Sequence, residues 1–391
     1  MLRLPPRPLW QFSDSMMKTK PIGLYVHIPF CLKKCGYCDF CSFSDLDENV
    51  RKAYIKRLIE EIFGYRDPKE KISVDTVFFG GGTPSLLTPE EFSKICDAIK
   101  ESFEILPNTE FTLEANPKTL TREKLDLFRA FGVNRISIGL QTIHENELKI
   151  LGRIHSFEDF KTSYQLVLDA GFENVGIDLM YGIPGQTTES FKETLMAAVS
   201  FNPSHISAYS LILEEGTEFW EKRHSLTFPD EDTECEMYEL ATRVLSENGY
   251  NHYEISNYAR PNFESRHNLK YWRGEEYVGV GVAAYSYFNG VRFGNSRSLS
   301  EYLSENAEQY IVREMIDPES RAYEYAMLRL RLSEGFPLEE YKMRFGSDFL
   351  IGREEKIDEL SRLGYLKNTG GRIAFTEKGF YVSNSILTEL L

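Results

Sequence analysis

A chain of 391 residues, 42% of them hydrophobic, is long enough to bury a sizeable core and predicts two or three domains. Its formal net charge of −15, with no basic run, argues against a partner with a phosphate backbone, and no stretch of 18 apolar residues offers a membrane span. Six cysteines, four of them between Cys31 and Cys41, do not resemble a disulfide framework and predict a reducing, cytoplasmic setting.

Residues 1–22 carry prolines with Arg3 and Arg7 but no apolar segment of signal-peptide length, which predicts an N-terminal extension with Met16 and Met17 as alternative starts. From residue 23 to about 250 a strand-then-helix unit recurs six times. Strands are expected at Gly23–Ile28, Asp75–Phe79, Thr109–Leu113, Asn134–Ile138, Val175–Leu179 and His205–Leu211, with amphipathic helices between them. Such repetition predicts parallel strands joined by right-handed crossovers, as a barrel or as an open doubly wound sheet. Unusual groups stand at the C-terminal end of nearly every strand, and contributions from so many strand ends favour an incomplete barrel. Residues 251–300 form an extension with an edge strand at His252–Ser256 and a polar-aromatic loop, His267-Asn268-Leu-Lys-Tyr271-Trp272. Residues 301–391 read as a smaller α+β domain of helices and a hairpin over Asn368-Thr-Gly-Gly371, resembling a winged-helix module; its mixed charge does not favour DNA.

The chemistry begins at Cys31, Cys35 and Cys38. Three thiolates on one short loop can hold three irons of an iron–sulfur cube and leave the fourth open to a small molecule. Buried thiols, a zinc site or a disulfide are the plainer alternatives, but zinc sites usually draw on a second cysteine pair that the chain lacks. Gly80-Gly81-Gly82-Thr83-Pro84 lets backbone approach a ligand, and its carbonyls with the Thr83 hydroxyl suit an ammonium group; a tight structural turn is the alternative. Glu114 at a strand end calls for a cation, Arg153 can clamp a carboxylate at two points, and Asp178 can accept from two hydroxyls. Each of these alone is more often a structural ion pair; together with the cysteine loop they are the requirements of a methionine joined to a nucleoside. Gly279-Val-Gly281-Val-Ala-Ala284 follows no βαβ start and reads as a close-packing segment rather than a dinucleotide fingerprint. His267 with its flanking rings fits either a planar macrocycle whose iron it ligates or a buried polar corner.

These motifs, with Tyr25-Val-His27-Ile-Pro-Phe-Cys31, Leu113-Glu114-Ala-Asn-Pro117, Gly139-Leu-Gln141 and Leu151-Gly-Arg153, make the chain from Gly23 to Leu391 resemble the radical S-adenosylmethionine proteins of the oxygen-independent coproporphyrinogen oxidase group. The resemblance implies a partial (β/α)6 barrel, a [4Fe-4S] cluster on Cys31, Cys35 and Cys38, and S-adenosylmethionine on the open iron. By the same pattern Tyr25 and Arg153 face the methionine carboxylate, Gly81, Gly82, Thr83 and Glu114 line the amine, Gln141 and Asp178 take the ribose, and Phe40 lies near the adenine. The group has an oxidase branch with a further cysteine two residues after the third and a heme-chaperone branch without it. Phe40 and the His267 motif place this chain with the chaperones, which implies heme as cargo, heme-dependent respiratory proteins as recipients, an electron donor, and at most peripheral membrane contact. The alternatives are the oxidase's radical decarboxylation of coproporphyrinogen III or a radical reaction on heme itself. Two departures stand out: Cys41 is one residue beyond the oxidase's fourth cysteine, and Ala283-Ala284-Tyr285 stands where the chaperones carry Gly-Ala-His. Heme ligation then falls to Tyr285 or to His267.

Overall fold

The structure, a computed structural model, describes residues 20–391, so the extension expected over residues 1–22 lies, but for its end, outside the described residues. The chain alternates through β1 (Ile22–Ile28), α1 (Glu48–Gly64), β2 (Ile72–Gly81), α2 (Pro89–Ser102), β3 (Phe103–Ala115), α3 (Arg122–Phe131) and β4 (Arg135–Gln141). It continues with α4 (Glu145–Leu151), α5 (Phe157–Asp169), β5 (Asn174–Tyr181), α6 (Thr188–Ser200) and β6 (His205–Ser210). Helix starts follow their caps: Asp47 accepts from the Asn49 N–H, while Thr88 with Glu91 and Ser156 with Asp159 form reciprocal capping boxes.

After β6 come α7 (Glu218–Glu221), α8 (Glu231–Glu247), β7 (Asn251–Glu254), β8 (Asn257–Ala259), α9 (Arg266–Trp272), β9 (Tyr277–Val280), β10 (Tyr285–Phe288) and β11 (Val291–Gly294). The remainder is α10 (Leu299–Tyr302), β12 (Val312–Met315), α11 (Pro318–Arg329), β13 (Phe336–Pro337), α12 (Leu338–Phe345), α13 (Glu354–Arg362), β14 (Leu366–Thr369), β15 (Arg372–Phe375), α14 (Glu377–Tyr381) and α15 (Ser383–Leu390). Two expectations are corrected. The polar-aromatic segment around His267 is a helix, α9, begun by Ser265, whose hydroxyl accepts from the Asn268 N–H. The helix expected to run unbroken from Thr376 to the end is interrupted at Val382.

The described chain divides into two compact units. The first comprises the described residues up to Ile177, with Ile212–Thr227 and Glu276–Met315. Its strands follow the order β12-β11-β10-β9-β1-β2-β3-β4. The pairs β9–β1, β1–β2, β2–β3 and β3–β4 are parallel, and β10 to β12 form an antiparallel run. β1 and β4 are buried along nearly their whole length, as expected of parallel strands covered on both faces. Phe79, Phe92, Phe111 and Phe128 knit β2 and β3 to α2 and α3, with Phe92 and Phe128 centroids 4.6 Å apart. The close-packing reading of residues 279–284 holds: a Cβ on Gly279 would sit 2.2 Å from the Tyr285 carbonyl oxygen, and one on Gly281, at φ +105, would sit 2.6 Å from the Tyr54 hydroxyl.

The second unit comprises Asp178–Leu211, Phe228–Glu275 and Ile316–Leu391. The end of β5, from Asp178, leads a strand order β5-β6-β8-β7, with β7 at the edge. A separate sheet, β13-β15-β14, is a small wing beside α11, α12 and α13, and its hairpin turns on Gly370 and Gly371, at φ +60 and +72. Among the described residues no helix is long and apolar enough to cross a membrane.

Candidate functional site

Because β1 to β4 are parallel, their C-terminal ends emerge together, and most of the expected site residues of the first unit stand there. β1 delivers the cysteine loop. That loop is tied at its base, where Cys31 N–H donates to the Phe43 carbonyl at 3.0 Å and Phe43 N–H donates to the Pro29 carbonyl at 2.7 Å. Inside it, Gly36 donates to the Leu151 carbonyl at 3.2 Å and accepts from the Phe219 N–H at 2.9 Å. A Cβ on Gly36 would lie 2.6 Å from the Phe219 ring, so this anchor excludes any side chain.

The thiols face hydrogen-bond donors. Arg153 Nη1 donates to Cys35 Sγ at 3.6 Å, and the Thr83 hydroxyl lies 3.7 Å from Cys31 Sγ. Thr83 Oγ1 already accepts from Asn116 Nδ2 at 2.8 Å, which leaves its hydrogen for the sulfur. Asn116 Oδ1 in turn accepts from Arg153 Nη2 at 2.7 Å, and the Gly139 carbonyl accepts from the same nitrogen at 2.9 Å. A belt Cys31–Thr83–Asn116–Arg153–Cys35 thus joins the cysteine loop to the ends of β2, β3 and β4. Burial pushes the thiols of Cys31 and Cys38 up, so an electropositive centre that replaces their protons would relieve that cost. Among the described residues no three His, Cys, Asp or Glu side chains gather as they would around a single metal ion. A cube binds each thiolate through its own iron.

Beside the belt, the Gly81 N–H donates to Glu114 Oε2 at 3.3 Å. The glycines of β2 are needed for contact: a Cβ on Gly82 would lie 2.8 Å from the Phe30 carbonyl oxygen, and one on Gly80 3.1 Å from both Glu114 Oε2 and the Tyr25 ring. At the end of β4, Gln141 is buried in left-handed backbone, φ +69, and its Nε2 reaches to 2.9 Å from where a Gly139 Cβ would stand. Phe40 is 69% exposed beyond the loop, where Lys34 Nζ donates to its carbonyl at 3.2 Å. The Cys41 thiol donates to the Arg297 carbonyl at 3.3 Å. Tyr285 is 45% exposed, its ring lying over Gly294 of the paired strand β11.

Two expected residues belong to the second unit. The Asp178 carboxylate accepts from the Ser207 hydroxyl at 2.8 Å. His267 is 1% exposed in α9, and its ring Nε2 lies 2.8 Å from the Tyr271 hydroxyl, with the two rings edge-on.

Sequence reasoning passed over Asn116 and His27. Asn116 was visible only as part of Glu114-Ala-Asn-Pro117, where its place one residue beyond β3 was the available signal. His27, buried on β1, holds the Cys41 carbonyl through Nε2 at 2.7 Å.

Comparison with known proteins gives the family and the fold. The Radical SAM superfamily matches residues 25–198 and the HemN C-terminal domain residues 316–382. Coproporphyrinogen III oxidase (HemN) from Escherichia coli, described as a radical SAM enzyme, superposes with a TM-score of 0.81 over 95% of this chain and 90% of its own, at 24% identity. The fold is therefore the partial (β/α)6 radical SAM barrel with a smaller C-terminal α+β domain, and the superfamily implies S-adenosylmethionine and a [4Fe-4S] cluster. Proteins named heme chaperone HemW are similar over nearly full length. That of Lactococcus lactis is 38% identical over 96% of this chain and 98% of its own, and those of Bacillus subtilis and Escherichia coli are 33% identical over 94% and 95% of this chain and 98% of theirs. On that extent of identity, the chain belongs to the heme chaperone HemW family of radical SAM proteins.

Proposed function

We propose that this protein is a heme chaperone of the cytoplasm that carries a [4Fe-4S] cluster with S-adenosylmethionine, binds heme and passes it to heme-dependent respiratory proteins. The observation that carries the reading is near-full-length identity of 33–38% to proteins named for heme chaperoning, joined to Phe40 at the position of the oxidases' fourth cysteine. The likeness to the oxidase, at 24% identity, speaks for fold alone.

The donor set suits the cofactors. Cys31, Cys35 and Cys38 would hold the cluster, and the N–H of Arg153 and the O–H of Thr83 offset thiolate charge. The Gly80–Gly82 run is packed so closely by Tyr25, His27 and Phe30 that no side chain fits there, and its backbone stands against Glu114, an anionic wall for an amine. Arg153 is proposed for the methionine carboxylate, Gln141 and Asp178 for ribose hydroxyls, and Phe40 for the adenine. When bound, the cluster and S-adenosylmethionine together supply one-electron reductive cleavage of a sulfonium. The protein's own part is to position the loop, balance its charge and present the ligand.

For heme, His267 is the proposed ligand, an exchange in which iron replaces the Tyr271 hydroxyl at Nε2. Heme added to purified protein is expected to give a shifted Soret band that His267→Ala alters in position or in affinity; an unchanged spectrum and affinity would remove His267 from the role. Anaerobic incubation of the reconstituted protein with coproporphyrinogen III, reductant and S-adenosylmethionine is expected to give no decarboxylated product. Protoporphyrinogen formation would replace the chaperone reading with the oxidase.

A further inference from the structure

His27 is gripped from both sides of its ring. Nε2 lies 2.7 Å from the Cys41 carbonyl oxygen and Nδ1 lies 3.0 Å from the Tyr25 hydroxyl. A carbonyl oxygen only accepts, so the hydrogen of the imidazole is on Nε2. Burial lowers the His27 pKa to about 4, so at neutral pH the ring has one N–H and Nδ1 is an acceptor. The Tyr25 hydroxyl therefore donates to Nδ1, and its oxygen keeps only lone pairs for any second contact.

The surroundings are cut to this arrangement. A Cβ on Gly81, at φ +108, would lie 2.5 Å from the His27 ring, so the glycine run and the histidine fit only as a pair. The Glu114 carboxylate and the edge of the Tyr25 ring meet over Gly80, each 3.1 Å from the Cβ position that glycine leaves empty. After burial, the Glu114 charge is the next cause that raises the Tyr25 hydroxyl, well above its ordinary pKa, so Tyr25 stays a neutral phenol. The Tyr25 ring and the Glu114 carboxylate thus flank the same glycine run, whose Gly81 N–H donates to Glu114 Oε2, while the guanidinium of Arg153 stands with Asn116 and Cys35.

We propose that His27 is a positioning residue that fixes Tyr25 as a hydrogen-bond acceptor, so that Tyr25 and Glu114 together receive the ammonium group of S-adenosylmethionine and the carboxylate is left to Arg153. This reassigns Tyr25 from the carboxylate partner that the family resemblance implies, because a phenol whose only hydrogen is committed to His27 cannot donate to a carboxylate. The same histidine ties the ligand-facing tyrosine to the exit of the cysteine loop at Cys41. The proposal rests on the reading above that the site binds S-adenosylmethionine.

The test is calorimetric titration of the anaerobically reconstituted full chain with S-adenosylmethionine, its deamino analogue and its decarboxylated analogue. Tyr25→Phe is expected to weaken S-adenosylmethionine and the decarboxylated analogue about fivefold, the loss of one hydrogen bond, and to leave the deamino analogue unchanged. An equal loss for the deamino analogue, or no loss for any of the three, overturns the assignment. His27→Phe is expected to share the selectivity of Tyr25→Phe, whereas His27→Gln, whose amide both donates and accepts, is expected to recover affinity for S-adenosylmethionine. A His27→Phe variant that weakens the deamino analogue as much as S-adenosylmethionine removes the positioning role. Wild-type protein that binds none of the three ligands overturns the S-adenosylmethionine reading itself, and with it this proposal.

Discussion

At the scale of residues, the site depends on groups that act through one another. Asn116 is the link whose loss uncouples most, since its amide donates to Thr83 and accepts from Arg153. Asn116→Ala is expected to weaken S-adenosylmethionine binding on the order of tenfold, about the worth of the one charge-assisted hydrogen bond that aims Arg153. Titration of the reconstituted variant checks this, and wild-type affinity would show the belt to be incidental. The cysteines, Glu114 and Arg153 were legible in the sequence because each is a costly residue type at the end of a periodic segment. Asn116 and His27 were not, since each matters only once β1, β2 and β3 lie side by side, and no spacing along one chain encodes that adjacency.

At the scale of elements, α9 shows why periodicity failed locally. Its buried residues are His267 and Lys270, three apart on one face, so the buried stripe is polar and carries no hydrophobic signal. Lys270 Nζ, buried with the helix, pairs with Glu275 Oε2 at 3.2 Å. What declares the helix is Ser265, fully buried, with its hydroxyl on the Asn268 N–H. Ser265→Ala is expected to lower unfolding stability by about 1 kcal/mol, the usual worth of an N-cap. Chemical denaturation measures it, and an unchanged midpoint would mean that packing alone holds α9. The strand-and-helix alternation of residues 23–250 was readable because buried parallel strands and amphipathic helices have distinct periods; the interruption at Val382 was not, as the apolar pattern runs on through it.

At the scale of the whole molecule, two kinds of buried group pull stability in opposite directions with pH. Burial lowers the pKa of His27, His155 and His252 to about 4 each. The unfolded chain therefore takes up their protons first, and stability falls as pH drops from about 6.5 towards 4. Glu254, 1% exposed and accepting from Asn257, is raised by burial to about 7. Its unfolded counterpart ionises first, so its contribution is lost as pH rises from about 4.5 to 7. Three histidines outweigh one glutamate, so the melting temperature is expected to rise from pH 5 to pH 7, and Glu254→Gln is expected to steepen that rise. A variant with the wild-type slope would show that Glu254 ionises normally in the fold. The chaperone reading itself is tested most directly by titrating heme into the anaerobically reconstituted protein with and without S-adenosylmethionine. Saturable binding, seen as a shifted Soret band whose affinity responds to S-adenosylmethionine, is the predicted result; no heme-dependent spectral change in either condition would contradict it.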